Sequence, residues 1–455
     1  MKKDVDMLNG SIIKGLFAIA LPIMVMNVVQ SLFNIVDMTV LKNFSGDEYA
    51  VGAVGACGTL ITLITGLLIG CASGVNVSLA RYIGSGDESS AARTVGTAVL
   101  FALTGGIVIG GVGILFAEQF LGWMSCPEAL LPTAVLYFRL YFAGVPILMV
   151  YNFCASVLHA TGDSGRPMLF LTIGGVLKVL FNILFVAVWK LSVLGVAAAT
   201  IISWMVSLGL GVRALVKNKN EAVRLQFSKL RFYKRELFSI LHIGIPAALQ
   251  QALYSFANVI IASAVNLFGA AATTGLSIAN NFDGLLYQVV VAPALAVMPY
   301  VSQNVGAGNI KRAKSAVLRG ILITIGFGAT LGALSAIFSG ELSSIMSSDP
   351  EVIRYSQQKM IIISSTYFIC GINEIMGASM RGLGKPLIPT VATLMFMCAI
   401  RFVWVYFVFP LYKNLTFLYL VWPIGWVLSI SFICVFFFPT IRQRMKETKK
   451  EVEFV

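Results

Sequence analysis

Charge is what this chain has least of. Only 12% of its 455 residues are Asp, Glu, Lys or Arg, about half the share in soluble globular proteins. Hydrophobic residues make up 58%, and the mean hydropathy is +0.87. A soluble enzyme of ordinary composition is excluded. Histidine is scarcer still, with only His159 and His242, so a histidine-based metal cluster is excluded too. The seven cysteines (Cys57, Cys71, Cys126, Cys154, Cys370, Cys398 and Cys434) form no CxxC pair and mostly sit in apolar runs, which argues against a disulfide framework or a zinc site. No GxxxxGK[ST] element is present, so the chain encodes no P-loop for ATP. Two histidines, one at a helix end and one near the start of a span, support no Ser/His/Asp arrangement. The chain reads as a non-enzyme without a cofactor, and any energy it uses comes from an ion gradient.

What it has instead is long windows without charge. A membrane-spanning helix needs about 20 apolar residues, and lipid leaves a helix as the way to satisfy the backbone. Between Lys14 and Lys42 the one charge is Asp37, and windows 49–80, 94–117 and 140–158 contain none. Spans at 167–189, with Lys178 inside, and at 191–212 complete a first set of six. The stretch 237–282 is free of charge for 46 residues and must bend once, at the small-residue run Phe268 to Gly275. Windows 320–340, 360–380 (with Glu374), 386–412 (with Arg401) and 414–441 bring the expected total to twelve. The N-terminal segment reads as the lead into an uncleaved first helix. This is an all-α polytopic membrane protein.

The basic residues set its expected orientation. Of 33 Lys and Arg, 25 fall in the termini-side segments, six in the opposite loops (Lys42, Arg139, Lys190, Arg354, Lys359 and Lys413) and two, Lys178 and Arg401, in mid-span. By the positive-inside rule both termini are cytoplasmic and the chain sits in the cell membrane. The net charge of +13 is therefore loop charge, and no nucleic-acid partner is expected.

The chain also repeats itself. Gly84-Ser-Gly86 precedes Gly306-Ala-Gly308 by 222 residues, and His159-Ala-Thr-Gly162-Asp with Pro167 matches Arg381-Gly-Leu-Gly384-Lys with Pro389 at the same offset. Pro22 and Asn34 match Pro246 and Asn258 at an offset of 224. Six spans per half preserve orientation, so the repeat is parallel, an arrangement in which transporters place the substrate path between halves. The expected domains are a six-helix bundle at 1–214, a basic cytoplasmic linker at 215–236, a second bundle at 237–440 and a cytoplasmic tail at 441–455.

Four segments carry a family resemblance: Leu21-Pro22 with Gln30-Ser-Leu-Phe-Asn-Ile-Val-Asp37; Ala80-Arg81-Tyr-Ile-Gly84-Ser-Gly86-Asp87; Leu158-His-Ala-Thr-Gly162-Asp163; and Met380-Arg-Gly-Leu-Gly384-Lys385-Pro386. On these, from about residue 11 to 440, the chain resembles the multidrug and toxic compound extrusion (MATE) family. The resemblance implies a V-shaped pair of six-helix bundles acting as an antiporter, which exports organic cations such as drugs in exchange for protons or sodium ions. It departs from several proton-coupled members in carrying Lys178 and Asn182 where they have an Asn and, four residues on, an Asp. His159 stands where an Arg is common.

Ionisable residues at mid-membrane depth are costly and normally face a bundle interior or a cavity. Asp37, Lys178, Asp283, Glu374 and Arg401 qualify, and the candidate substrate or ion site adds the uncharged Asn34, Asn152, Asn182 and Asn258. Asp37 leads. Burial disfavours its charged form and a bound cation favours it, so proton and cation compete for one carboxylate. Asp283 and Glu374 stand in reserve. Each half is expected to neutralise its own cation, Lys178 by Asp37 and Arg401 by Glu374 on the preceding span. The 17 methionines and the aromatics read as packing and lipid-facing residues. The overlapping GxxxG spacings of Gly66, Gly70 and Gly74 suggest close helix packing. The expected partners are small organic cations and the bilayer, with the chain acting as a monomer. The alternative is a flippase for lipid-linked glycans of the same superfamily, which needs a cationic lumen for pyrophosphate. Lys178 and Arg401 favour it, and a mid-membrane tally of three acids to two bases opposes it.

Overall fold

A computed structural model describes residues 5–47, 49–124 and 126–453, with no side chains described beyond 448. The first four residues of the expected first bundle and the last two of the expected tail lie outside it. Every regular element among the described residues is helical. In order, these are α1 (Ile12–Phe44), α2 (Ala50–Gly84), α3 (Glu88–Leu115), α4 (Ala117–Trp123), α5 (Leu131–Ala160), α6 (Gly165–Asn182), α7 (Ser192–Val216), α8 (Lys234–Asn266) and α9 (Ala270–Gly306). There follow α10 (Ile310–Ile337), α11 (Ser339–Ser344), α12 (Pro350–Ser365), α13 (Tyr367–Gly382), α14 (Leu387–Thr393), α15 (Ile400–Val403), α16 (Phe409–Tyr412), α17 (Leu415–Tyr419) and α18 (Val421–Glu453). A short 3₁₀ turn lies at Phe227–Lys229, and π-helical turns occupy Ile183–Val188, Leu394–Ala399 and Trp404–Val408.

Eleven segments are long and apolar enough to cross a membrane, and the pair α12 and α13, bent by 49° at Thr366, makes a twelfth when taken as one span. The charge-free stretch 237–282 turns where its small residues allow. α8 ends at Asn266 and α9 begins at Ala270, with Gly269 between them at φ +91°, a conformation that L side chains rarely adopt. The short helices α4 and α11 are not foreshadowed by the charge-free windows.

The chain divides into two compact units, Val25–Gly244 (the N unit) and Ile245–Val455 together with the segment up to Met24 (the C unit). Their boundaries fall inside α1 and α8, beside Pro22 and Pro246, where a proline removes a helical hydrogen bond. The basic segment 215–236 lies in the N unit. There Thr97 Oγ1 donates to the Arg231 carbonyl (3.1 Å) and Arg93 pairs with Glu236 (2.8 Å). In the C unit, Asn304 and Arg312 donate to the Met7 carbonyl at 3.1 and 3.0 Å and anchor the N-terminal segment.

The repeat is written into the packing. Between lipid-bathed helices the hydrophobic effect offers little, so small residues that let backbones meet carry the interface. In the N unit, Ala98, Ala102, Gly106 and Gly110 are buried along one stripe of α3. A Cβ at Gly106 would lie 2.6 Å from Pro146 Cα, and one at Gly110 would lie 2.8 Å from the Phe142 carbonyl oxygen. In the C unit, 222 residues on, the stripe is Gly320, Thr324, Gly328 and Gly332 of α10. A Cβ at Gly328 would lie 2.8 Å from Phe368 Cα and one at Gly332 would lie 2.1 Å from the Ser364 carbonyl oxygen, and Phe368 and Ser364 are the 222-residue equivalents of Pro146 and Phe142. Capping repeats as well. Asp87 and Asn309 cap α3 and α10 through their side chains, each just after a glycine at positive φ, Gly86 (+72°) and Gly308 (+71°). Hydrogen bonds from Ser90 and Ser89 hold the Asp87 carboxyl down at about 2.

Of the GxxxG glycines, Gly74 meets backbone. Its Cβ would lie 2.2 Å from the Ile240 carbonyl oxygen, on the first turns of α8. Because Gly332 faces a tighter contact than Gly110, Gly332→Ala should cost about 1–3 kcal/mol and Gly110→Ala less. Thermal unfolding of the purified variants reads this, and a wild-type melting temperature for Gly332→Ala would contradict the close approach.

Candidate functional site

The N-unit site is built by one close approach and one helical spacing. A Cβ at Gly175 of α6 would lie 1.8 Å from the Phe33 ring of α1, so only glycine lets the two helices approach this closely. One turn on from Phe33 stands Asp37, and one turn on from Gly175 stands Lys178. Lys178 and Asn182, four residues apart, share a face of α6. Both reach Asp37: the Lys178 ammonium pairs with Oδ2 and the Asn182 amide donates to Oδ1. Asp37 is 7% exposed and Asn182 fully buried. Asn182 Oδ1 has no hydrogen-bond partner among the described residues. A carboxylate, its counter-ion and a free amide oxygen therefore share one buried point, with α6 passing into a π turn directly after Asn182.

The C unit carries a counterpart with different parts. Asp283 of α9 pairs with Lys359 of α12 at 2.7 Å, and Asn280, a turn earlier on α9, accepts from the same ammonium. Each unit thus has an Asp–Lys–Asn trio. Glu374 of α13 accepts from the Tyr254 hydroxyl (3.3 Å) and feels the charge of Arg381, two turns along its own helix. Tyr254 also accepts from Asn373 (3.2 Å), which is bound in turn by Ser429 (2.7 Å).

Two expectations are overturned here. Arg401 does not pair with Glu374. Its guanidinium donates through Nη1 to Asn258 of α8 (2.7 Å) and lies over the Trp422 ring at 4.9 Å. The reason lies in the helix opposite: Arg401 faces α8 as Lys178 faces α1, its equivalent in the repeat, but Ile261 stands 224 residues after Asp37, so α8 offers the guanidinium no acid and Asn258 takes it instead. Second, Lys359 is no loop charge. It is 2% exposed, within α12.

Of the remaining candidates, Asn34 is exposed a turn before Asp37 and stands outside the trio. Asn152 donates back to its own helix at the Leu148 carbonyl (2.9 Å). His159 bonds Ser164 at 3.0 Å, away from the site. Reading the sequence missed Lys359, Arg381, Tyr254, Asn280 and Trp422. For Arg381 a signal existed in its i, i+7 spacing from Glu374.

With Asp37 and Lys178 this buried, Lys178→Met alone should destabilise the fold by about 3–5 kcal/mol, because it strands the carboxylate. Adding Asp37→Asn should recover most of that loss. Equilibrium unfolding of both single variants and the double would expose strictly additive losses, which would contradict the pairing.

The comparisons with known proteins agree with this architecture. The chain is 28% identical over 393 residues to a probable multidrug resistance protein, YoeA, of Bacillus subtilis (strain 168), covering 84% of each chain. It is 26% identical over 342 residues to an FAD transporter of Shewanella oneidensis, covering 74% of this chain and 75% of the other. Among solved structures, an outward-facing multidrug resistance MATE family transporter superposes with a TM-score of 0.88 at 20% identity, over 99% of both chains. The MatE family model matches twice, at residues 22–184 and 246–407, once in each repeat. The chain belongs to the MatE family of membrane transporters.

Proposed function

We propose that the protein is a secondary active antiporter, exporting small organic cations in exchange for protons or sodium ions. The observation that carries this reading is the Asp37 carboxylate, buried and held by Lys178 and Asn182. Three cationic claimants meet there. The Lys178 ammonium holds the carboxylate in the resting arrangement, a coupling ion neutralises it, and a substrate cation competes for the same charge. A ligand that must displace the coupling ion makes the two fluxes exclusive, which is the minimum an antiporter requires. The Asn182 Oδ1, buried and unpartnered, is a ready neutral acceptor for whichever cation arrives.

Membership of the MatE family and the multidrug resistance names of several relatives support export of drugs and similar amphipathic compounds. With Lys359 and Arg381 counted inside, 24 basic residues on the termini side against five on the other support insertion in the cell membrane with both termini cytoplasmic. The chain acts as a monomer, each molecule holding both repeats.

Asp37→Asn preserves the shape of the side chain and removes its charge. In proteoliposomes with an imposed proton or sodium gradient, ethidium export by this variant should fall to the rate of protein-free vesicles although the protein inserts normally. Wild-type export by Asp37→Asn would overturn the reading. The gradient that drives the wild type identifies the ion.

A further inference from the structure

The buried charges of the C unit do not balance. Its interior holds two carboxylates and three cations: Lys359 pairs with Asp283 at 2.7 Å, while Glu374 accepts from Tyr254 at 3.3 Å and Arg381, seven residues along α13 from it, donates to Gln250 at 2.9 Å. Arg401 is the third cation. It is 2% exposed, and no carboxylate forms a salt bridge with it among the described residues. What holds it is neutral: the Asn258 side-chain amide oxygen Oδ1 at 2.7 Å and the face of Trp422 at 4.9 Å. The same indole lies 5.9 Å from the Lys359 ammonium, so one ring steadies two cations. An amide and an aromatic face stabilise a charge without cancelling it. The guanidinium therefore keeps its full attraction for an anion.

It also keeps its hydrogen-bonding capacity. Arg401 Nε has no partner among the described residues, and Nη1 is engaged only by an uncharged amide. A guanidinium edge is a fork that matches a carboxylate or phosphate in two parallel bonds. The site is not sealed, because Asn258 and Asn280, the outer polar residues of the cluster, are both exposed. The sequence points the same way once corrected. With Lys359 and Arg381 inside, the interior carries four bases (Lys178, Lys359, Arg381 and Arg401) against three acids (Asp37, Asp283 and Glu374).

We infer that the C unit contains an oxyanion-binding site. There Arg401 receives a carboxylate or phosphate group that displaces the Asn258 amide, and Trp422 keeps the guanidinium in place. The ligand class is an organic anion, or the anionic end of a zwitterion. The inference rests on the C unit alone, and binding rather than transport reads it, so it stands or falls separately from the Asp37 mechanism.

The test uses the full-length protein in nanodiscs of phosphatidylcholine, with fluorescein dianion as the probe and fluorescence polarisation as the readout. Arg401→Gln should weaken binding by about tenfold or more, the worth of a charge-assisted hydrogen bond, and Arg401→Lys should restore part of it. Asn258→Asp supplies the missing carboxylate, so it should abolish fluorescein binding while keeping the melting temperature at or above wild type. That variant decides the matter if Arg401→Gln fails to fold. Displacement of the probe when phosphatidylglycerol replaces part of the lipid would uphold the site and identify a lipid headgroup as its occupant. Displacement by inorganic phosphate without that lipid effect would uphold it for a soluble oxyanion. Absence of fluorescein binding by the wild type, or equal binding by wild type, Arg401→Gln and Asn258→Asp, would overturn the inference.

Discussion

A charge inside a membrane helix must be met by another polar group, because hydrocarbon offers it no water and insertion alone costs about 2.5–3.5 kcal/mol per residue. That constraint organises this structure. Asp37, Asp283, Lys178, Lys359 and Arg401 are all buried or nearly so, and each is matched across a helix–helix contact: α1 with α6, α9 with α12, and α15 with α8. The helices that bear these charges cannot slide freely against one another. A shift of one turn would separate a pair and strand both members in a medium that solvates neither.

The two units solve the packing problem identically and the charge problem differently. The small-residue stripes of α3 and α10 and the backbone atoms they meet correspond at a single offset of 222 residues. The Lys178 and Arg401 positions correspond only after allowing for one inserted residue, which a π turn absorbs. In the N unit the cation finds a carboxylate. In the C unit it finds an amide and an indole. Duplication conserved the scaffold, and the residue opposite the cation changed the chemistry it carries, with Ile261 in α8 where α1 has Asp37.

Much of this was legible in the sequence. The spans showed as windows without charge, the turn between α8 and α9 as a run of small residues, and the repeat as a set of matches with a common offset. The Lys178–Asp37 pair followed from the need to neutralise a buried cation. What failed did so for a physical reason. Bounding a span by its nearest charges assumes that charges lie outside membranes, so the rule cut the tenth span, α12 with α13, at Lys359 and Arg381, two charges that lie inside it. Windows reveal helices but not which faces meet. Tyr254, Asn280 and Trp422, ordinary residues by composition, acquire their roles only from the helices opposite them. That Arg401 meets Asn258 of α8 and not Glu374 of α13 depends on which helices pack together, which charge-free windows do not mark.

Competition of two cations for one buried carboxylate is what ties the structure to exchange. It is most directly measured by titrating ethidium into the purified protein across a range of pH and sodium concentration. The apparent Kd should rise as protons or sodium are added, and this dependence should vanish in Asp37→Asn. An ethidium affinity indifferent to both ions in the wild type, or an ion dependence that survives in Asp37→Asn, would contradict it.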